Sequence, residues 1–322
     1  MSKRVLVVGE LNVDLIVSGL PTLPVLGQEL VCTGLSRVLG SSSAIFSRAL
    51  AGLGARVGFM GKVGDDENGR FMIGQLQEPG IDTSDVLVDP STQTGITISL
   101  TYPGEKAQIT YPGSISAYRP VDVNTEAFTS YEHLHMASMY LQAGLRPGMP
   151  GLLHRAKALG LSTSFDPGWD PAERWGADLF EALEAVDILF LNEHEAKAIG
   201  GQSSAELAAG VIAGRVPLVL CKIGAGGALM ATGKEMVRVP AHPVSVLDTT
   251  GAGDSFDAGF IYRHVVEGHP PIDSLRFANA CGAIAVTRVG GASSVPSEAD
   301  VEDFLEDTPV VETHRLTQSE TC

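Results

Sequence analysis

Basic residues are in deficit: 22 Lys and Arg stand against 38 Asp and Glu, a formal charge of −16. Nucleic acid and anionic membranes are both bound through basic patches, so this balance speaks against either partner. Cysteine is sparse, and Cys32, Cys221, Cys281 and Cys322 show no C-x-x-C spacing. That excludes a zinc ribbon or thioredoxin-type motif and favours free thiols in a reducing, cytoplasmic setting. No apolar run reaches membrane-spanning length. The run after Lys3-Arg4 is broken by Glu10, Asn12 and Asp14, too early for an export core. The P-loop G-x-x-x-x-G-K-[ST] is missing, since Gly233-Lys234-Glu235 lacks both the hydroxyl and the first glycine. The dinucleotide pattern G-x-G-x-x-G fails at Phe256 and again at Leu229. With 44% hydrophobic and 19% charged residues, the 322-residue chain has the makeup of a globular protein with a large core.

What is present centres on Asp248-Thr249-Thr250-Gly251-Ala252-Gly253-Asp254-Ser255-Phe256. Beyond it Phe256, Phe260, Ile261, Val265 and Val266 recur at helical spacing. Gly251 to Gly253 therefore read as a turn feeding a helix whose first amides have no intrahelical acceptor, an end that binds anions. Asp254 stands out there, because a carboxylate repels an anion. It is either the helix cap or a base that takes a proton beside a bound phosphoryl group. Gly253-Asp254-Ser255 also looks like the nucleophile block of the Gly-Asp-Ser hydrolases. That block opens its chain, whereas this one lies in the last quarter with no Asp-x-x-His pair after it.

In order, the chain alternates strand and helix. Val5 to Val8 is a buried parallel strand, followed by Asn12 and Asp14 on one face of an extended segment. Leu15–Val17 and Glu29–Cys32 are β-like, and Thr94–Tyr102 with Ala107–Tyr111 alternate around Pro103-Gly104 as a hairpin. Later strands end at Asp166, Asn192 and Cys221, so their carboxyl ends line one edge of a parallel sheet, where open α/β folds keep their sites. Asn192-x-x-Glu195 reads by itself as a helix start with Asn192 as cap and Glu195 at N3, a capping-box variant. Lys222, Gly224 and Gly227 mark a glycine-rich turn between two strands, and His194 is a surface or structural residue. The helix Leu275 to Thr287 is rich in small residues and must pack closely. The polar tail from Glu306 to Cys322 lacks periodicity and reads as frayed.

Asp-Thr-Thr-Gly-Ala-Gly-Asp-Ser-Phe resembles the second signature of the ribokinase-like carbohydrate kinases, also called the phosphofructokinase-B family. Asn192-x-x-Glu195, Gly64-Asp65-Asp66 and Gly40-Ser41-Ser42-Ser43 match further motifs of that family in the same order. The resemblance covers nearly the whole chain. It implies one ribokinase-like domain over 1–322, a three-layer α/β/α sandwich with a small β-sheet lid from about 13–37 and 92–112, the lid doubling as a homodimer surface. It implies transfer of the γ-phosphoryl group of ATP to a hydroxymethyl group of a sugar or polyol, with Asp254 as base and Gly251, Ala252 and Gly253 in the anion hole. Asn12, Asp14, Gly40, Ser41 and Ser42 would bind substrate. Asn192, Glu195, Lys222, Gly224, Gly227 and Asn279 would serve the nucleotide, and Glu195 would hold Mg2+ through water. Asp248, Thr250, Ala285, Arg288, Gly290 and Ser294 would form a monovalent-cation site for K+. Two departures stand out: Ser41 replaces the second glycine, and Ile45 replaces a sugar-binding Asn. Asp257 stands where many relatives carry Asn. The alternatives are a nucleoside kinase of the same fold and a sugar sensor without catalysis.

Overall fold

The computed structural model describes residues 3–102, 105–287, 296–308 and 314–316. The chain runs β1 (Arg4–Val8), β2 (Asn12–Ser18), β3 (Gly34–Leu39), α1 (Ser42–Gly52), β4 (Arg56–Gly64), α2 (Glu67–Gln77), β5 (Asp82–Asp89), β6 (Gly95–Tyr102) and β7 (Glu105–Tyr111). There follow α3 (Ser114–Ala117), β8 (His133–Ala137), α4 (Met149–Ala158), β9 (Ser162–Asp166), α5 (Ala177–Leu183), β10 (Ile188–Asn192), α6 (Glu193–Gly200) and α7 (Ala205–Ile212). The last part holds β11 (Leu218–Lys222), β12 (Ala228–Ala231), β13 (Met236–Val239), α8 (Ala252–Phe260), α9 (Pro271–Val286), α10 (Glu298–Asp307) and β14 (His314–Leu316).

Among the described residues, the larger sheet has the order β14-β13-β12-β11-β10-β9-β8-β1-β4-β5. From β11 to β5 neighbouring strands are parallel, while β12, β13 and β14 add antiparallel at one edge. Strand alternation divides the core in two. Val5 and Val7 face α1, α2, α8 and α9 through Phe46, Met72, Phe256 and Leu275. Leu6 and Val8 face α4 to α7 through Leu153, Leu179, Ala196 and Ala208. These are the three layers the sequence implied. The chain leaves β1 toward β4 on one side and returns to β8 on the other, so the carboxyl ends of β1 and β8 border a topological switch point.

The second sheet has the order β3-β2-β6-β7. Its register sets Asp14, Thr97 and Thr110 on one face, and Leu15, Ile98 and Ile109 on the other. Glu29–Cys32, expected as a strand, is irregular; β3 starts at Gly34 because β2 ends at Ser18, which pairs with Gly34 and leaves nothing opposite the earlier residues. The tail is not wholly without structure either, since His314–Leu316 pairs with β13. The small residues of α9 do permit close packing. A Cβ on Gly259 of α8 would lie 2.6 Å from Cys281 Sγ and 3.2 Å from Ala278 Cα.

Candidate active site

The helix α8 is entered through Gly251, whose φ of 73° and ψ of 3° lie in the left-handed region that favours glycine. No side chain caps this helix. Ala252 N–H reaches back to Thr249 O, and the first intrahelical bond is Ser255 N–H to Gly251 O at 2.9 Å. The amides of Gly253 and Asp254 fall before that first bond, in the turn that has no intrahelical acceptors. Asp254 is therefore not the cap. The Ser42 hydroxyl at the start of α1 is near enough to its carboxyl to favour the ionised form. Loss of hydration pushes its pKa up to about 7; Lys222 opposes the rise, and Asp166 and Glu10 reinforce it. Part of its surface still reaches solvent.

The start of α1 carries the next group. Ser41 has a φ of 79° and ψ of 118°, a conformation that costs an L-residue, and its Oγ donates to Glu10 O at 2.5 Å. The backbone thus keeps a glycine-like turn at the position where the resemblance expects glycine. Gly40 lies against the second sheet so closely that a Cβ there would meet Asp14 Oδ1 at 2.1 Å and Asn12 Nδ2 at 2.8 Å. Asn12 Nδ2 donates to Asp14 Oδ1 at 2.9 Å and to Thr97 Oγ1 at 3.1 Å. Asn12, Asp14, Gly40, Ser41, Ser42 and Asp254 are thereby brought together where β1, β2, α1 and α8 meet. Ile45 is 5% exposed and packs in the apolar core, so that position supplies hydrocarbon.

Three residues that sequence reasoning did not assign complete this region. Glu10 is buried just after β1 and accepts from Ser43 Oγ at 2.6 Å and Ser43 N at 3.2 Å. Burial raises its pKa against those bonds. Asp166, at the carboxyl end of β9, and Asp257, on α8, both receive Lys222 Nζ, at 2.7 Å and 3.0 Å. Position at the carboxyl ends of strands was the available signal for Glu10 and Asp166. Lys222 was expected at the nucleotide, yet its ammonium points into this acid pair.

The remaining expected groups lie along the same sheet edge. Asn192 caps α6, accepting from Glu195 N at 2.9 Å, while Glu195 Oε2 accepts from Asn192 N at 2.8 Å. The capping-box reading of this pair is thus correct. Burial and the nearby Asp166 push Glu195 up to about 7. Gly227 has a φ of 88°, and a Cβ there would meet Val239 O at 2.0 Å; Gly224 has a φ of 54°. Asn279 spends its amide hydrogens on Val239 O at 3.2 Å and Pro240 O at 2.8 Å. Asp248 Oδ1 accepts from Thr250 N at 2.9 Å and from Thr250 Oγ1 at 2.7 Å, while Leu247 N–H reaches Val286 O, beside Ala285, at 2.8 Å. Arg288, Gly290 and Ser294 lie outside the described residues. Among the described residues no three His, Cys, Asp or Glu side chains form a direct metal cage. No described helix is long and apolar enough to cross a membrane.

The family model described as pfkB family carbohydrate kinase matches residues 2–298. The chain belongs to this family. The kinase is 34% identical over 268 residues to an ATP-dependent ribose-1-phosphate kinase from Halopiger xanaduensis, covering 83% of this chain and 86% of that one. It is 30% identical over 287 residues to a fructokinase from Vibrio alginolyticus, covering 85% and 93%. Among solved structures, a candidate ribokinase II from Escherichia coli bound to ATP and Mg2+ superposes with a TM-score of 0.84 at 26% identity, covering 95% of this chain and 99% of that one. The ribokinase-like fold and a phosphotransferase with an alcohol acceptor follow from these relationships.

Proposed function

We propose that this kinase moves the γ-phosphoryl group of ATP onto a hydroxymethyl group of a ribose- or fructose-like sugar or a related polyol, with Asp254 as general base. The observation that carries this reading is the position of Asp254. It sits in the uncapped first turn of α8, does no capping, and faces Ser42 near the cluster of Gly40, Asn12 and Asp14. Asn12 and Asp14 orient the sugar hydroxyls, with Gly40, Ser41 and Ser42 closing that side. Asp254 takes the hydroxyl proton as the oxygen attacks phosphorus. The amides of Ala252, Gly253 and Asp254 stabilise charge on the transferring group, and Gly251 permits the turn.

The donor nucleotide lies along the strand ends, between Asn192, the Gly224–Gly227 turn and the Asn279 region. The oxygen-rich set of Asp166, Glu195 and Asp254 against the lone Lys222 fits a hydrated divalent cation, held by Glu195 through water. When bound, Mg2+ neutralises phosphate charge. Asp248, Thr250 and Ala285, with Arg288, Gly290 and Ser294, form the proposed K+ site; equal rates in sodium, potassium and choline salts contradict it.

The second sheet acts as the lid, its polar face with Asn12, Asp14 and Thr97 toward the sugar. Its outer face exposes Leu35, Ile98 and Ile109, at 68%, 38% and 63%, which suits a second copy of the chain. Sedimentation of the protein against a Leu35→Asp, Ile109→Asp variant tests the homodimer. The experiment for the reaction is ADP release with Mg-ATP against fructose, ribose, ribose 1-phosphate, 2-keto-3-deoxygluconate, myo-inositol and adenosine. Turnover with one sugar supports the reading. Turnover with adenosine alone favours a nucleoside kinase, and ATP binding without turnover on any acceptor favours a sensor.

A further inference from the structure

The side-chain hydrogens around the proposed sugar site are largely committed within the protein. Asn12 Nδ2 gives one hydrogen to Asp14 Oδ1 at 2.9 Å and the other to Thr97 Oγ1 at 3.1 Å, with a longer approach to Val13 O at 3.4 Å. Ser41 Oγ donates to Glu10 O, and Ser43 Oγ to Glu10 Oε2 at 2.6 Å. The Ser42 hydroxyl lies beside the Asp254 carboxyl. Asn12 Oδ1 and the Asp14 carboxylate can therefore take hydrogens from a sugar, but neither side chain can give one to its oxygens. A sugar hydroxyl is donor and acceptor at once, so these side chains satisfy half of what it offers.

A matching donor stands further across the second sheet. Thr97 Oγ1 accepts from Asn12, and among the described residues the acceptor its own hydrogen meets is Thr110 Oγ1, at 3.0 Å. The chain thus runs from the Asn12 amide through Thr97 to Thr110, and the Thr110 hydrogen is left to point outward. Thr97 is 7% exposed, whereas Thr110 is exposed. The register puts Asp14, Thr97 and Thr110 side by side on one face. Thr110 lies on β7, the edge strand opposite β3, and β3 is the strand that leads into Gly40 and Ser42. Two strand spacings of about 4.8 Å set the backbones of Asp14 and Thr110 roughly 10 Å apart, a gap that one monosaccharide spans once both side chains reach inward.

We propose that Thr110 is a specificity-determining residue of the acceptor site, donating its hydroxyl hydrogen to a sugar oxygen at the end remote from phosphoryl transfer. This rests on the reading of Asn12 and Asp14 as sugar-binding residues. The group Thr110 reads is an oxygen acceptor: a hydroxyl, a carbonyl or the ring oxygen. A sugar without that oxygen leaves the Thr110 hydrogen and the chain behind it unanswered. The same chain fixes the Asn12 amide, because with both hydrogens held its carbonyl oxygen is the end turned to the sugar.

The test is sugar binding by calorimetry, beside KM and kcat, for the accepted sugar and its monodeoxy analogues. The proteins are the wild type, Thr110→Val, Thr110→Ser and Asp14→Asn. Valine keeps the shape of threonine and suits a strand, so Thr110→Val folds. Thr110→Val raises Kd and KM for the sugar roughly tenfold, with a smaller change in kcat and none in KM for ATP. Thr110→Ser restores binding. The wild type disfavours one monodeoxy analogue by a similar factor, and Thr110→Val binds that analogue and the parent sugar alike.

A Thr110→Ser variant as weak as Thr110→Val overturns the role of the hydroxyl. Weakened binding in Asp14→Asn beside an unmoved Kd in Thr110→Val overturns the assignment of Thr110 and leaves the sugar site standing. Sugar binding that neither Asp14→Asn nor Thr110→Val disturbs overturns the site itself, and this proposal with it.

Discussion

The Ser42 hydroxyl at the start of α1 is near enough to the Asp254 carboxyl in the first turn of α8 to oppose the rise in its pKa. The serine belongs to the turn that approaches Asn12 and Asp14, and the aspartate to the turn that presents free amides. One hydroxyl therefore ties the proposed sugar side to the proposed phosphoryl side. Its hydrogen favours the ionised carboxyl, so Ser42→Ala raises the Asp254 pKa above about 7. The acid limb of kcat/KM then moves to higher pH, with rates depressed at pH 6.5 and recovering by pH 9. An unshifted profile contradicts the contact.

Ser41 is strained and compensated by one bond. Ser41→Ala keeps the φ of 79° but loses the bond to Glu10 O, so it costs about 1–3 kcal/mol in urea unfolding. Ser41→Gly loses the same bond but relieves the backbone, and comes out nearer to neutral. Glycine more destabilising than alanine contradicts this account.

Asp254 weakens the fold it serves. In the unfolded chain its carboxyl ionises near 3.8, and in the folded protein it keeps its proton to about 7. The native state binds the extra proton, so stability falls as pH rises through that window. Asp254→Asn therefore raises Tm at pH 8, and the gain shrinks toward pH 5. A gain independent of pH contradicts the shift.

The opposite sign holds for two core histidines. His133 bonds Ser162 and Ser164 at 2.7 Å each, His135 bonds Ser164 at 2.8 Å, and the His135 ring stacks on Phe46 at 3.7 Å. Burial pushes both down to about 3 from an ordinary 6.5. The unfolded chain gains protons first, so stability is lost as pH falls from about 6.5 toward 3. His135→Gln flattens that acid slope measured by urea unfolding; an unchanged slope contradicts the buried neutral ring.

The parallel strands were legible because apolar runs such as Val5–Val8 and Ile188–Leu191 end in polar residues, as a strand buried on both faces requires. The turn into α8 was legible because Gly-Ala-Gly stands directly before a helical pattern of apolar residues. Glu29–Cys32 misled because β propensity says nothing about the partner strand, and β2 had already ended. Local chemistry alone left Asp254 between cap and base, since both fit the start of a helix; the helix start itself, with Gly251 at the cap position and no side chain capping it, decides against the cap. The acid pair below it was illegible because Asp166, Lys222 and Asp257 sit on three separate elements, and the fold alone brings them together.

The most direct measurement is turnover of Asp254→Asn with the best sugar acceptor, beside ATP binding by calorimetry. The account predicts intact nucleotide binding and a kcat lower by about 10²–10⁴-fold, the loss of a positioned base. Near-normal turnover in that variant contradicts it.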